Sequence, residues 1–252
     1  MDLTDSYDQT TLLGGRVTCF QPRGSYRSAV DAVLLAAAVS AQSGEQVLDI
    51  GTGVGSVALC LAARIAGVQV TGLELQQELI PMAEEGVKAS GLSDYVKIIE
   101  GDLLNPPAIL KDATFDHVMA NPPYLAAGNG NVPPDPIRAA STIEGAAAFV
   151  DWVKFANRML KPNGTLTLIH RADRLDQLIE GIRLRFGRIT LFPLWPRAGQ
   201  PAKRVIIQAH KGGAGPTRLL AGMALHLASG DYTQETNDVL LRAGALNISD
   251  GA

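Results

Sequence analysis

The chain of 252 residues has only two cysteines, Cys19 and Cys60, in no metal-binding or redox spacing. That scarcity excludes a disulfide scaffold and fits a reducing cytoplasm. No apolar run approaches the roughly 18 residues that a membrane helix needs. Asp2, Asp5 and Asp8 precede any apolar stretch, the reverse of a basic-then-apolar signal peptide. The expectation is a cytoplasmic protein with neither a membrane nor a metal among its partners. Hydrophobic residues make up 46% and charged residues 19%, so the chain is neither disordered nor collagen-like. Its length suits one enlarged domain.

The net charge of -3 hides an asymmetry. Residues 158 to 218 hold twelve lysines and arginines against three acids, while the rest of the chain is strongly acidic. A basic block of this kind suits a polyanionic partner, although bases also serve simply to cap helices and solvate strand edges.

From about residue 47, apolar runs of strand length alternate with amphipathic stretches of helix length. Val47–Ile50, Val68–Leu73, Val96–Ile99, Phe115–Ala120 and Thr165–His170 read as strands, with two more near 188–193 and 203–209. Helices are expected over 54–66, 76–90, Ala146–Leu160 and 173–185. Such alternation predicts an α/β fold, a doubly wound and mostly parallel sheet that binds ligands at the carboxyl ends of its strands. Residues 1–45 form a short N-terminal extension with one helix, Val30–Ala41, expected to pack over the ligand site, and 46–252 form the main domain. Ala126–Ser141, with three prolines and two glycines, reads as a long loop beside that site.

The first strand runs into Asp49-Ile50-Gly51-Thr52-Gly53-Val54-Gly55-Ser56. Gly51 and Gly53 let the backbone turn sharply and approach a ligand closely. A dinucleotide fingerprint would carry glycine where Ser56 stands. Asp49 would also repel a pyrophosphate, whereas it suits a cofactor with a cationic amino group. Glu74 ends the second strand, where a carboxylate accepts from ribose hydroxyls. Asp102, after the third, is placed to accept from an adenine amino group. Three acids at consecutive strand ends resemble the class I S-adenosylmethionine-dependent methyltransferases over roughly residues 45–170. The resemblance implies a seven-stranded Rossmann-like sheet and S-adenosyl-L-methionine as cofactor.

Phe115–Ala120 leads into Asn121-Pro122-Pro123-Tyr124. The prolines force the chain out of the strand where ligands bind. A conjugated amino nitrogen is a poor nucleophile because its lone pair is delocalised. If the Asn121 side-chain oxygen and the Pro122 carbonyl each accept one N–H, the nitrogen pyramidalises and its lone pair turns toward a sulfonium methyl. Tyr124 offers a ring to stack the planar substrate. Asn121, Pro122 and Tyr124 are therefore the catalytic candidates. Asp49, Gly51, Gly53, Glu74, Asp102 and Asn121 are the cofactor candidates. Tyr26 is added to these as a residue able to close over the methionine end of the cofactor. The tetrad resembles the signature of methyltransferases acting on adenine N6 or on a glutamine amide.

Leu13-Gly14-Gly15-Arg16-Val17, then Gln21–Ala36, the Lys203-Arg204-Val205 strand and Tyr232-Thr233-Gln234-Glu235 resemble the bacterial tRNA1(Val) (adenine-37-N6)-methyltransferase family over nearly the whole chain. Two features depart from it. Ser25 separates Gly24 from Tyr26, and Ser141-Thr142 replaces a more charged helix start. The resemblance implies an enzyme methylating adenine N6 in tRNA near the anticodon, with Arg171, Arg197, Lys203 and Arg204 as candidate RNA contacts. The alternatives are glutamine N5-methylation of translation release factors, for which about 45 N-terminal residues are too few, and a non-catalytic nucleoside-binding module.

Overall fold

The computed structural model describes residues 7–23, 29–124 and 146–248. Tyr26, the 126–141 loop and Ser141-Thr142 lie outside them. The expected helix near the start is α1 (Ala29–Ala38). A repeating unit follows: β3 (Gln46–Ile50), α2 (Ser56–Arg64), β4 (Gln69–Glu74), α3 (Ile80–Ala89), β5 (Val96–Glu100) and β6 (Phe115–Ala120). Then come α4 (Phe149–Met159), β7 (Leu160–Arg171), α5 (Leu175–Arg183), β8 (Phe186–Arg197) and β9 (Arg204–Lys211).

These strands lie in the order β8-β9-β7-β6-β3-β4-β5, with β9 antiparallel to both its neighbours and every other pair parallel. The seven expected strands are thus present. Two short strands, β10 (Arg218–Leu219) and β11 (Met223–His226), extend the sheet to nine by pairing along the outer edge of β8. They are too short to carry a periodic signal and exist only because β8 offers an open edge.

Neighbouring residues within a strand face opposite cores, as the two-residue period requires. Val47, Met119 and Ile169 pack with α1 and α2, while Leu48, Val118 and Leu168 pack with α4 and α5. Both faces are therefore covered, which is why the strands read as continuous apolar runs. The strand order reverses between β3 and β6, and a crevice opens at that switch point outside their carboxyl ends. The glycine-rich turn and the Asn-Pro-Pro-Tyr segment both sit there.

The first 45 residues hold more than the one expected helix. β1 (Tyr7–Leu12) and β2 (Val17–Pro22) form an antiparallel hairpin. Val17 and Cys19 alternate with more exposed neighbours and are buried. Thr18 N donates to Ser90 Oγ at 3.0 Å, and Ser56 Oγ lies 3.6 Å from Cys19 Sγ, at the first residue of α2 after the glycine turn. The C-terminal α6 (Gln234–Arg242) starts at Thr233, whose Oγ1 accepts from Thr236 N at 3.2 Å. The backbone of α6 approaches Gly14 so closely that a Cβ there would sit 2.5 Å from the Leu241 carbonyl oxygen. The two ends of the chain therefore meet on one face of the sheet. Among the described residues no helix is long and apolar enough to cross a membrane. No group of three or more His, Cys, Asp or Glu among them is placed to hold a metal.

Candidate active site

Gly51 and Gly53 have φ of 66° and 59°, a left-handed conformation that side-chain-bearing residues adopt only under strain. The turn is pinned from below, because Gly51 N and Thr52 N both donate to the Leu73 carbonyl at 2.8 and 3.0 Å. Glu74 pins it from the side. Its Oε2 accepts from Gly53 N at 2.7 Å and its Oε1 from Gln76 N at 2.9 Å. Each carboxylate oxygen keeps a lone pair for a ligand hydroxyl. Burial raises the Glu74 pKa, and those two N–H groups oppose the rise.

Gly51, Glu74, Asp102 and Pro123 line one cavity, together with Trp152 of α4. Asp102 caps its own turn, since Oδ1 accepts from Leu104 N at 2.8 Å, and one oxygen remains uncommitted by that bond. Asp49 is not on the cavity wall but beneath the turn, 1% exposed, and its Oδ2 accepts from Thr52 Oγ1 at 2.6 Å. Burial pushes its pKa up to about 7; the Thr52 hydroxyl opposes the shift and the nearby Glu74 charge adds to it. A buried carboxylate with this proton affinity gains strongly from a cation placed beside it.

Trp152 was not legible as a site residue. Its ring lies where a Cβ on Gly51 would sit, 2.6 Å from Cη2. Gly51→Ala should therefore destabilise the fold by about 1–3 kcal/mol through forced left-handed backbone and displaced indole. Denaturant unfolding checks this, and an unchanged midpoint would show that the turn tolerates a side chain.

At the end of β6, Tyr124 Oη lies 2.7 Å from Asn121 Oδ1 and 2.9 Å from Asp31 Oδ2 on α1. Arg204 Nε donates to the same Asp31 oxygen at 3.0 Å, and its guanidinium carbon lies 4.7 Å over the Tyr124 ring. Arg174 Nη1 donates to the Tyr124 carbonyl at 3.1 Å. Burial raises the Tyr124 pKa, helped by the Asp31 charge and opposed by Arg204, so the hydroxyl keeps its proton. His170 meets the Tyr124 ring edge-on with centroids 5.1 Å apart. Burial, then the Arg174 charge, lowers its pKa to about 4, so it is neutral near pH 7. Asp31 and Arg174 converge here from α1 and the start of α5, a placement that no local pattern announces.

The basic block divides between the two ends of the sheet. Arg171, Arg174, Arg197, Lys203 and Arg204 stand at the strand ends that also carry Asn121. Lys161 and Lys211 stand at the opposite end, Lys161 on Asp116 at 2.8 Å. Arg204, another candidate RNA contact, has its charge engaged by Asp31, with the side chain 23% exposed. Arg171 donates to Asp173, Nε at 2.9 Å from Oδ1, so much of its charge is neutralised locally. Arg197 and Lys203 are exposed, and neither has an ion-pair partner among the described residues.

The family described as methyltransferase small domain matches residues 28–190. A tRNA1(Val) (adenine(37)-N6)-methyltransferase of Actinobacillus pleuropneumoniae serotype 5b is 30% identical over 181 residues, 70% of this chain and 73% of the relative. One from Bacteroides thetaiotaomicron is 27% identical over 228 residues, covering 89% and 94%. A crystal structure described as a predicted O-methyltransferase from Agrobacterium tumefaciens superposes with a TM-score of 0.71 at 25% identity, covering 85% of this chain and 97% of its own. The chain belongs to the methyltransferase small-domain family and, within it, to the tRNA1(Val) (adenine(37)-N6)-methyltransferase family.

Proposed function

We propose that the protein transfers a methyl group from S-adenosylmethionine to the exocyclic N6 amino group of an adenine in tRNA, near the anticodon. The observation that carries this reading is the position of Asn121 and Pro122 at the switch point, next to a cavity walled by Gly51, Glu74 and Asp102. The donor set fits the cofactor. Carboxylates accept from hydroxyl and amino groups and repel phosphates, and Glu74 and Asp102 each retain accepting capacity on that wall. Glu74 would hold the ribose and Asp102 the adenine. Asp49, under Gly51 and Gly53, would answer the ammonium of the methionine end.

The bound cofactor supplies an electrophilic methyl on a sulfonium. The protein's task is to present the nucleophile. Asn121 Oδ1 and the Pro122 carbonyl accept the two N–H groups of the adenine amine and turn its lone pair out of conjugation. Pro123, which has no N–H, leaves that carbonyl without a competing donor from its own turn. No base is needed before transfer, because the nitrogen becomes acidic only once methylated. Orientation and fixed dipoles then carry the rate. The test is transfer of labelled methyl to bulk tRNA, bulk DNA and release factor in parallel. Label confined to tRNA is expected; label confined to release factor would move the substrate to a glutamine amide.

Arg197 and Lys203 are the best placed RNA contacts. Phosphate contacts release counterions, so tRNA affinity should fall steeply with salt. Reversing both charges should weaken tRNA binding and flatten the log-log salt slope by about 0.7–0.9 per lost contact, with cofactor affinity unchanged. An unaltered slope in filter binding would move the RNA surface elsewhere, first to Arg16, Arg23 and Arg27.

A further inference from the structure

Tyr124 has one hydroxyl hydrogen and two acceptors within reach, Asp31 Oδ2 at 2.9 Å and Asn121 Oδ1 at 2.7 Å. One hydrogen serves one of them at a time. The carboxylate is the stronger acceptor, because charge-assisted hydrogen bonds are about twice as strong as neutral ones. With the hydrogen on Asp31, Tyr124 Oη turns its lone pairs to Asn121, and two oxygens facing each other at that distance repel. A half-turn of the Asn121 amide removes the conflict: Nδ2 donates to Tyr124 Oη, and Oδ1 faces the other way. Every polar group is then satisfied along one line, Asn121 Nδ2–H to Tyr124 Oη–H to Asp31 Oδ2.

The line is anchored at its far end. Arg204 Nε donates to the same Asp31 oxygen at 3.0 Å, and its guanidinium lies against the Tyr124 ring at 4.7 Å. Arg174 fixes the Tyr124 backbone through its carbonyl. Four elements far apart in sequence, the start of α1, the end of β6, the start of α5 and the start of β9, thus converge around Tyr124.

We propose that Asp31 and Arg204 are positioning residues that act through the Tyr124 hydroxyl to lock the Asn121 amide with its oxygen, and not its nitrogen, toward the incoming amino group. The inference rests on the reading of Asn121 as acceptor for a substrate amine. An unlocked amide spends part of its time presenting N–H to N–H, which cannot orient the nucleophile. The role of Tyr124 then extends beyond its ring, because the hydroxyl sets the polarity of its neighbour.

The test is a double-mutant cycle on Asp31→Asn, Tyr124→Phe and their combination. Each single variant should lower kcat about tenfold, the scale of one hydrogen bond, with the dissociation constant for S-adenosylmethionine within about twofold of wild type. The double variant should be no slower than the worse single, since both changes cut the same line. Additive losses, or a loss confined to cofactor affinity, would overturn the proposal. If Asp31→Asn fails to fold because Arg204 is left uncompensated, Asp31→Asn with Arg204→Met removes both charges and gives the same readouts. A second arm is independent of turnover. In protein carrying 15N-labelled asparagine, the Asn121 amide signal, identified by its loss in Asn121→Asp, should shift in both Tyr124→Phe and Asp31→Asn. A signal unmoved in both overturns the lock even if the wild type methylates tRNA. A signal that shifts in both variants, while the wild type transfers no methyl group, upholds the lock and overturns the substrate reading instead.

Discussion

Replacing Asn121 with alanine should slow methyl transfer by about 100-fold or more, the scale of removing one hydrogen bond that strengthens in the transition state. The dissociation constant for S-adenosylmethionine should stay within about twofold. The reasons lie in the geometry: the cavity wall is built by Gly51, Glu74, Asp102, Pro123 and Trp152, whereas Asn121 is bonded away from that wall to Tyr124. Truncation removes the acceptor for the amine and leaves the Pro122 carbonyl in place. Single-turnover kinetics with saturating cofactor separate the two effects. Near-normal turnover would remove Asn121 from the mechanism, and a matching loss of cofactor affinity would make it a binding residue.

The second large effect is in pH. Asp49 in the free protein has a pKa of about 7, raised from 3.8 chiefly by burial. A group raised in this way adds stability that is complete below the unfolded value and is lost as pH rises through the folded one, because the charge must then be carried in an apolar site. A cofactor ammonium beside Asp49 reverses that penalty by pairing with the charge. Binding therefore releases a proton below pH 7, and affinity rises with pH by up to about tenfold per unit. Calorimetry from pH 5 to pH 7 should show S-adenosylmethionine tightening by about 50-fold, with proton release to buffer. The cofactor ammonium stays protonated over this range. Asp49→Asn should bind weakly with a flat profile, which separates Asp49 from Glu74, whose pKa is also raised. A flat profile in the wild type would detach Asp49 from the cofactor's cationic end.

The sequence carried the parts of this architecture that local physics dictates. β3, β4 and β6 are short, largely buried apolar runs, and each carries at or near its end a residue whose chemistry is unusual for a core: Asp49 one residue before β3 ends, Glu74 at the end of β4, Asn121 just after β6. The hairpin was readable in principle, because Val17 and Cys19 alternate and Gly14-Gly15 marks a turn, but six-residue strands that pair only with each other give a faint signal. Trp152 and Arg174 were beyond local reading for another reason. Their roles arise from contacts between residues far apart in the chain, such as Arg174 with the Tyr124 carbonyl, and neither residue alone specifies its partner. Arg204 illustrates the cost. As one cation in a basic block it reads only as an RNA contact, and the fold alone reveals its pairing with Asp31.

The atom that receives the methyl group is identified most directly by nucleoside analysis. Unmodified tRNA1(Val) transcript is incubated with the protein and labelled S-adenosylmethionine, digested to nucleosides and resolved by chromatography with mass detection. Label is expected in N6-methyladenosine alone, lost when the adenosine next to the anticodon is replaced by guanosine. Label in 1-methyladenosine, in a ribose 2′-O-methyl nucleoside, or in no nucleoside at all would contradict that expectation.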